Sequence, residues 1–250
     1  MHHSKLFAGL AVAILMHSSM SLAQEENDPL EPVNRVVFRF NRVVDQNVLK
    51  PVSDFYGRVV PEVARQGIRN VLDNINEPVV FINCVLQGNT DRAGVALGRF
   101  MINTIFGLGL FDVATEAGFA KPYEDFGQTL GVWGAGEGPY LVLPIFGPSN
   151  VRDASGLAVD GLVFNPLGPF NPIGMEIPWG ARFARGVIDG IDTRYRYGTA
   201  IDDIYNNSLD PYATFRTVYR QRRAAQIRNT EGAQESEQDY DAIFKEEQVQ

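Results

Sequence analysis

The chain has 250 residues, 45% of them hydrophobic and 21% charged, with a formal net charge of −8. That length suits one folded domain, and the acidic balance argues against nucleic acid as a partner. A single cysteine rules out an intramolecular disulfide.

Residues 1–23 have the form of a bacterial secretory signal. Lys5 supplies the positive end, the apolar run 6–16 is too short to span a bilayer, and Ser21-Leu22-Ala23 offers small residues before Gln24. The alternative is a short N-terminal membrane anchor. Cleavage after Ala23 removes His2, His3 and His17, so the mature chain has no histidine. Ser-His-Asp and Cys-His devices are then impossible, and a zinc site would need carboxylates alone. Cys84 lies in the apolar run Pro78-Val-Val-Phe-Ile-Asn-Cys-Val-Leu and reads as a buried structural thiol. No catalytic residue, metal site or cofactor is expected. An exported hydrolase would need a carboxylate pair from Glu124, Asp125, Glu137, Asp153 and Asp160, but no spacing among them singles one out.

The mature chain opens with Asp28-Pro29-Leu30-Glu31, a helix start with Asp28 as N-cap and Glu31 reaching back. Val33, Val36, Val37, Phe40, Val44 and Val48 then recur at helical spacing, with Arg35, Arg39 and Arg42 between them. This predicts an amphipathic helix to about Lys50, ended by Pro51. A second helix is expected over 61–74 and a third, apolar nearly all round, over 78–86, stopping at Gly88. Asn89-Thr90-Asp91 caps the next segment.

Residues 94–113 are nearly long enough to span a bilayer, but Arg99, Asn103, Thr104, Gly107 and Gly109 interrupt them. The segment is either a core helix that breaks at the glycines or one that lies in a membrane without crossing it. Arg99, between Leu97 and Phe100, needs an acidic partner if buried, and Asp112, Asp125 and Asp153 are the candidates. Its other reading is a contact to a lipid phosphate.

From 118 to 148 the helical period disappears and glycines punctuate the chain, giving loop or short extended structure. Gly134-Ala135-Gly136-Glu137-Gly138 lacks the Lys-Ser/Thr of a phosphate loop and reads as a tight turn. A helix restarts at Ser149-Asn150-Val151. Residues 164–180 mix four prolines with large apolar residues, among them Phe164, Phe170 and Trp179. At a membrane these three would be interfacial anchors. Helices over 181–206 and 210–228 complete the body. Arg216, Arg220, Arg222, Arg223 and Arg228 load the last one with charge, either for phosphate headgroups or an acidic protein face, or as a solvated face. Residues 229–250, net −6, read as a disordered acidic tail. The fold is therefore expected to be all-α, one domain over 24–228.

Four blocks then resemble the VacJ/MlaA family of bacterial outer-membrane phospholipid-transport proteins. They are Asn27-Asp-Pro-Leu-Glu-Pro-Val-Asn-Arg35 with Phe38-Arg-Phe-Asn41; Asn76-Glu-Pro with Asn83 and Leu86-Gln-Gly88; Arg99-Phe with Asn103-Thr-Ile-Phe-Gly-Leu-Gly109 and Phe111-Asp-Val-Ala114; and Phe126-Gly-Gln-Thr-Leu-Gly131 through Gly138-Pro-Tyr-Leu-Val-Leu-Pro-Ile-Phe-Gly-Pro148 to Arg152-Asp153. A looser likeness reaches Asp210-Pro211-Tyr212. The resemblance implies a ring of amphipathic helices embedded in the periplasmic-side leaflet of the outer membrane. Its central channel would pass phospholipid from the outer leaflet to a periplasmic carrier, with a trimeric porin alongside. Candidate lining groups are Arg99, Asn103, Thr104, Gly107 and Gly109. Many members carry a cysteine at the cleavage site, where this chain has Ser-Leu-Ala-Gln, so an unlipidated protein is expected. The alternative function is a porin-associated adaptor without a lipid channel.

Overall fold

A computed structural model describes residues 28–170 and 178–228. The expected signal 1–23, the acidic tail 229–250 and part of the proline-rich loop lie outside the described residues. Helix α1, Glu31–Val44, leads through a π-helical turn, Asp45–Leu49, straight into α2, Lys50–Val59. The expected stop at Pro51 does not occur. Pro51 falls in the first turn of α2, where a missing N–H costs least. Asp28 does not cap α1 either. Its carboxylate instead accepts hydrogen bonds from Asn34, the Tyr212 hydroxyl and Arg216, drawing the last helix onto the first.

The two helices expected over 61–74 and 78–86 are one, α3, Glu62–Leu86, with Pro78 inside it. Val80 and Cys84 on this helix pack against Ala93 and Ala96 of α4, Thr90–Ile105. That shared burial offsets the backbone bond that Pro78 cannot make. Gly88, with φ +75°, makes the turn between α3 and α4, and Asn89 caps α4 by accepting from the Arg92 N–H. Cys84 is fully buried, and burial pushes its thiol up to about 12. A maleimide at pH 8 should leave it untouched until denaturant opens the fold; labelling of the native protein would contradict this burial.

After α5, Val113–Glu116, comes α6, Phe126–Val132, a helix that the glycine-rich sequence concealed. Strands β1, Tyr140–Leu143, and β2, Gly147–Asn150, form an antiparallel hairpin. The all-α expectation is thus corrected to a mostly helical fold with one hairpin. The hairpin survives because α1 serves as its third strand. Asn34 donates to the Tyr140 carbonyl and accepts from the Val142 N–H, and Asn41 does the same with Leu143 and Ile145. Two asparagines seven residues apart thus pair with an edge that would otherwise be left open.

Helix α7, Val151–Val159, ends in a second π turn, Asp160–Phe164. It crosses α6 where Gly156 meets Gly127, and a Cβ on Gly156 would overlap the Gly127 backbone. Gly156→Ala should cost about 1–3 kcal/mol, read by chemical denaturation. Gly94→Ala, with open space around it, should be neutral or stabilising. The expected helix 181–206 is two: α8, Trp179–Arg196, and α9, Gly198–Asn207, which meet at Tyr197. The last helix is α10, Pro211–Ile227, capped by Asp210. No described helix is long and apolar enough to cross a membrane.

Candidate functional site

The distribution of side chains is turned inside out. Among the described residues ten hydrophobic side chains are buried against eighteen polar or charged ones. Large apolar residues instead form stripes on the outside: Val33, Val36, Phe40 and Val43 on α1; Val52, Phe55 and Val59 on α2; Leu97, Met101 and Ile105 on α4; Phe183, Val187 and Ile188 on α8. Spacings of three and four put each of the first three sets on one helix face, and on α8 Phe183 and Val187 are four apart with Ile188 beside them. In water each such side chain forgoes about 1.5–3 kcal/mol of burial.

The polar interior is organised around Arg99, which is 1% exposed. Its Nε donates to Glu77 (2.9 Å), Nη1 to Thr115 Oγ1 (3.0 Å) and the Phe119 carbonyl (2.6 Å), and Nη2 to both Asp112 oxygens (3.0 and 2.9 Å). All five N–H donors of a guanidinium are thereby used. Of the three acids expected for Arg99, Asp112 is a partner; Asp125 and Asp153 belong to another cluster, and the second partner is Glu77. Burial raises the Glu77 carboxyl above its ordinary range, whereas hydrogen bonds from Thr115, Asn103 and Arg99 hold Asp112 below its own against the opposing effect of burial.

The other predicted lining residues fall around this centre. Asn103 is buried, donating to Asp112 and accepting from the Ala114 N–H. Thr104 is exposed, and its hydroxyl accepts from Asn74. Helix α4 ends at Ile105, so the helical part of the segment 94–113 stops just before Gly107 and Gly109. A Cβ on Gly107 would strike the carbonyls of Asn103 and Phe111, and Gly109 has φ +72°; both are glycines by geometric need. Of the predicted anchors, Trp179 is 75% exposed and stacks on Phe183, and Phe170 is exposed, whereas Phe164 packs edge-on against Phe126.

A second chain of polar contacts runs from Arg92 to Glu124, Gln87, Thr129, Asn83 and Asp160. Among the described residues the Asp160 carboxylate accepts from neutral donors, Asn83 and the Phe126 N–H. Burial without a paired cation pushes its carboxyl up to about 6. A carboxyl raised in the folded state stabilises fully below pH 4 and loses that stabilisation as pH climbs through 6. The shift of roughly two units corresponds to about 3 kcal/mol. Asp160→Asn should therefore flatten the fall in stability between pH 4 and 6.5, measured by urea unfolding across that range. An unchanged slope would remove Asp160 as its source.

Three of the five arginines expected to charge the last helix are engaged within the protein. Arg216 pairs with Asp28, Arg220 with Glu137, and Arg223 with Asp125 and Asp153. These three strap the C-terminal helix across the body through acids of the protein itself.

One charged face was not anticipated. On α8, Arg182, Arg185 and Asp189 lie opposite the exposed Phe183, Val187 and Ile188. The Nε atoms of Arg182 and Arg185 are buried with no hydrogen-bond partner. Burial lowers the affinity of the Arg185 guanidinium for its proton. Asp189 is exposed to solvent, yet protein crowds it enough to raise its carboxyl, with Asp73 of α3 adding to the rise. Asp73 in turn pairs with Lys121 at 2.6 Å. The signal available in the sequence was charge at 182, 185, 189, 192 and 196, one helix face opposite an aromatic one.

A mostly helical fold with apolar outer faces, a densely hydrogen-bonded polar interior and no described spanning helix defines the class: a membrane-associated helical protein. The family model for MlaA lipoprotein matches residues 26–226, and the chain belongs to that family. It is 36% identical over 227 residues to the intermembrane phospholipid transport system lipoprotein MlaA of Escherichia coli K12, covering 88% of this chain and 86% of that one. The protein of the same name from Haemophilus influenzae is 33% identical over 89% of this chain and 88% of its own. A solved chain, described as the structural basis for maintenance of bacterial outer membrane lipid asymmetry, superposes with a TM-score of 0.71 at 34% identity, covering 81% of this chain and all of that one. The family is one of transport proteins rather than enzymes. Its description as a lipoprotein conflicts with the expectation of an unlipidated chain. The expected processing site lies outside the described residues, and Cys84 is sealed inside α3.

Proposed function

We propose that this chain is an outer-membrane phospholipid-transport protein that preserves the difference between the two leaflets, taking phospholipid from the outer leaflet and passing it to a periplasmic carrier. The inverted distribution of side chains carries this reading. A lipid's chains and headgroup need opposite surroundings, and a ring of helices with apolar outer stripes lying in the periplasmic-side leaflet, around a polar passage, supplies both. Arg99 is the keystone of that interior, since its donors are spent and none is left for a phosphate. Asn103, Gly107 and Gly109 shape the turn it holds. Thr104 faces solvent and remains a lining group. Arg182 and Arg185, whose buried Nε atoms have no hydrogen-bond partner, are the residues suited to a passing phosphodiester. The family resemblance supplies a porin trimer and the carrier as partners.

Replacing the gene in its own host tests this. Deletion should raise phospholipid in the outer leaflet and sensitise cells to detergent, and the wild-type gene should reverse both. Arg185→Glu should reverse them poorly while the protein accumulates normally. Loss of one charge-assisted contact is worth about 1.5–3 kcal/mol, roughly tenfold or more in lipid affinity. An unchanged outer leaflet after deletion would sink the reading.

A further inference from the structure

The hairpin turn at 143–147 is built unlike a turn meant for water. Ile145 has φ +71°, a left-handed backbone that a β-branched residue resists. Glycine or asparagine would turn there without strain. Ile145 nonetheless stands at the tip, 67% exposed, beside Phe146 at 74%. Two large apolar side chains are thus held outward on a strained backbone.

Asn41 of α1 holds them. Its Nδ2 donates to the Leu143 carbonyl at 2.9 Å, and its Oδ1 accepts from the Ile145 N–H at 2.8 Å. Pro144 has no N–H to satisfy, and Leu143 pairs with Gly147 across the ladder. Much of the polar backbone of the tip is therefore neutralised, which is the condition for entering hydrocarbon and is unnecessary in water. Phe40, adjacent to Asn41, belongs to the exposed stripe Val33, Val36, Phe40 and Val43. The tip is tied to the helix that carries this stripe, and exposed Arg39 lies on the same helix, long enough to reach the phosphate level.

We infer that the Ile145–Phe146 turn is a lipid-penetrating tip, set by Asn41 at the edge of the outer face of α1, and that its occupant is the acyl-chain layer of a phospholipid leaflet. This rests on the membrane-embedded reading above. Strain and exposure, both unfavourable in water, are compensated when the side chains enter lipid.

The test uses the full chain with a nitroxide attached to Phe146→Cys or Ile145→Cys, and to Phe55→Cys on the outer face of α2 as reference. Cys84 stays unlabelled because it is buried. Collision rates with oxygen and with a water-soluble nickel chelate are read on vesicles of phosphatidylethanolamine and phosphatidylglycerol. For a lipid-penetrating tip, the oxygen-to-nickel ratio at 145 and 146 rises several-fold on adding vesicles, as it does at 55. A rise at 55 with none at 145 and 146 overturns this inference alone. No rise at any of the three overturns the embedded reading with it. Protection at 145 and 146 from both reagents would mean protein contact, from a second copy or a partner, and overturns it too.

Discussion

Arg99→Met should unfold far more readily than the wild type, by about 3–5 kcal/mol, the range for breaking a buried ion pair by removing one partner. The replacement fills the volume of the arginine stem but leaves Glu77 and Asp112 facing each other's charge without compensation. Glu77 is the more exposed to this loss in energy, since its carboxyl is buried and its Oε2 already has no hydrogen-bond partner. The Thr115 hydroxyl and the Phe119 carbonyl also lose their donor, so the excursion from 106 to 119 should loosen first. Arg99→Lys should fall between the two, because one ammonium cannot serve Glu77, Asp112 and Phe119 from a single point. Adding Glu77→Gln and Asp112→Asn to Arg99→Met should recover part of the loss by removing the stranded charges. Chemical unfolding in mild detergent measures all four proteins. A midpoint for Arg99→Met close to the wild type would show that the centre is not what holds this segment.

The second large effect concerns attachment. Replacing Phe40, Phe55 and Phe183 together by Asp should release the protein from the membrane fraction under a carbonate wash, with its helical content unchanged. Phe55 is 61% and Phe183 59% exposed, so neither carries much of the internal packing. Each change forfeits about 1.5–3 kcal/mol of apolar transfer and adds a carboxylate that costs up to about 2.5–3.5 kcal/mol at membrane depth. An acyl anchor would not mask the result, because a single chain gives only marginal, reversible binding. Retention of the triple variant in the washed membrane would show that the outer stripes do not face lipid.

Much of the local structure was legible because local rules govern it. The periodic valines of α1, the asparagine cap of α4, the turn at Gly88 and the buried thiol all follow from spacing and side-chain chemistry within a few residues. The errors came where distant residues intervened. Pro51 and Pro78 signal helix ends on local grounds, and both helices run on because π-turn geometry in one case and the packing of α3 against α4 in the other outweigh the lost bonds. The hairpin was illegible because its third strand is a pair of asparagine side chains about a hundred residues earlier. The site divides in the same way. Arg99 could be recognised as a residue needing an acid, and Asp112 lies on the same stretch of chain. Glu77 is on another helix, and no spacing links the two. The charged face of α8 was visible as a pattern, but the influence of Asp73 on Asp189 was not, because Asp73 lies on another helix.

The sequence alone carries the expectation of an export signal, whose removal would leave no histidine and hence none of the common nucleophilic devices, and it carries a set of amphipathic helices with the motif blocks of one family. An amphipathic pattern has the same period whether its apolar side meets a core or a lipid, because periodicity records only that two faces differ. Which face points inward was decided by the tertiary structure, where Arg99 pairs with Glu77, Asn83 with Thr129 and Asp153 with Arg223 inside, leaving many of the phenylalanines and valines outside. Buried polar groups must find partners at fixed distances and angles, and those partners come from elements far apart in the chain. Only the folded arrangement could select them.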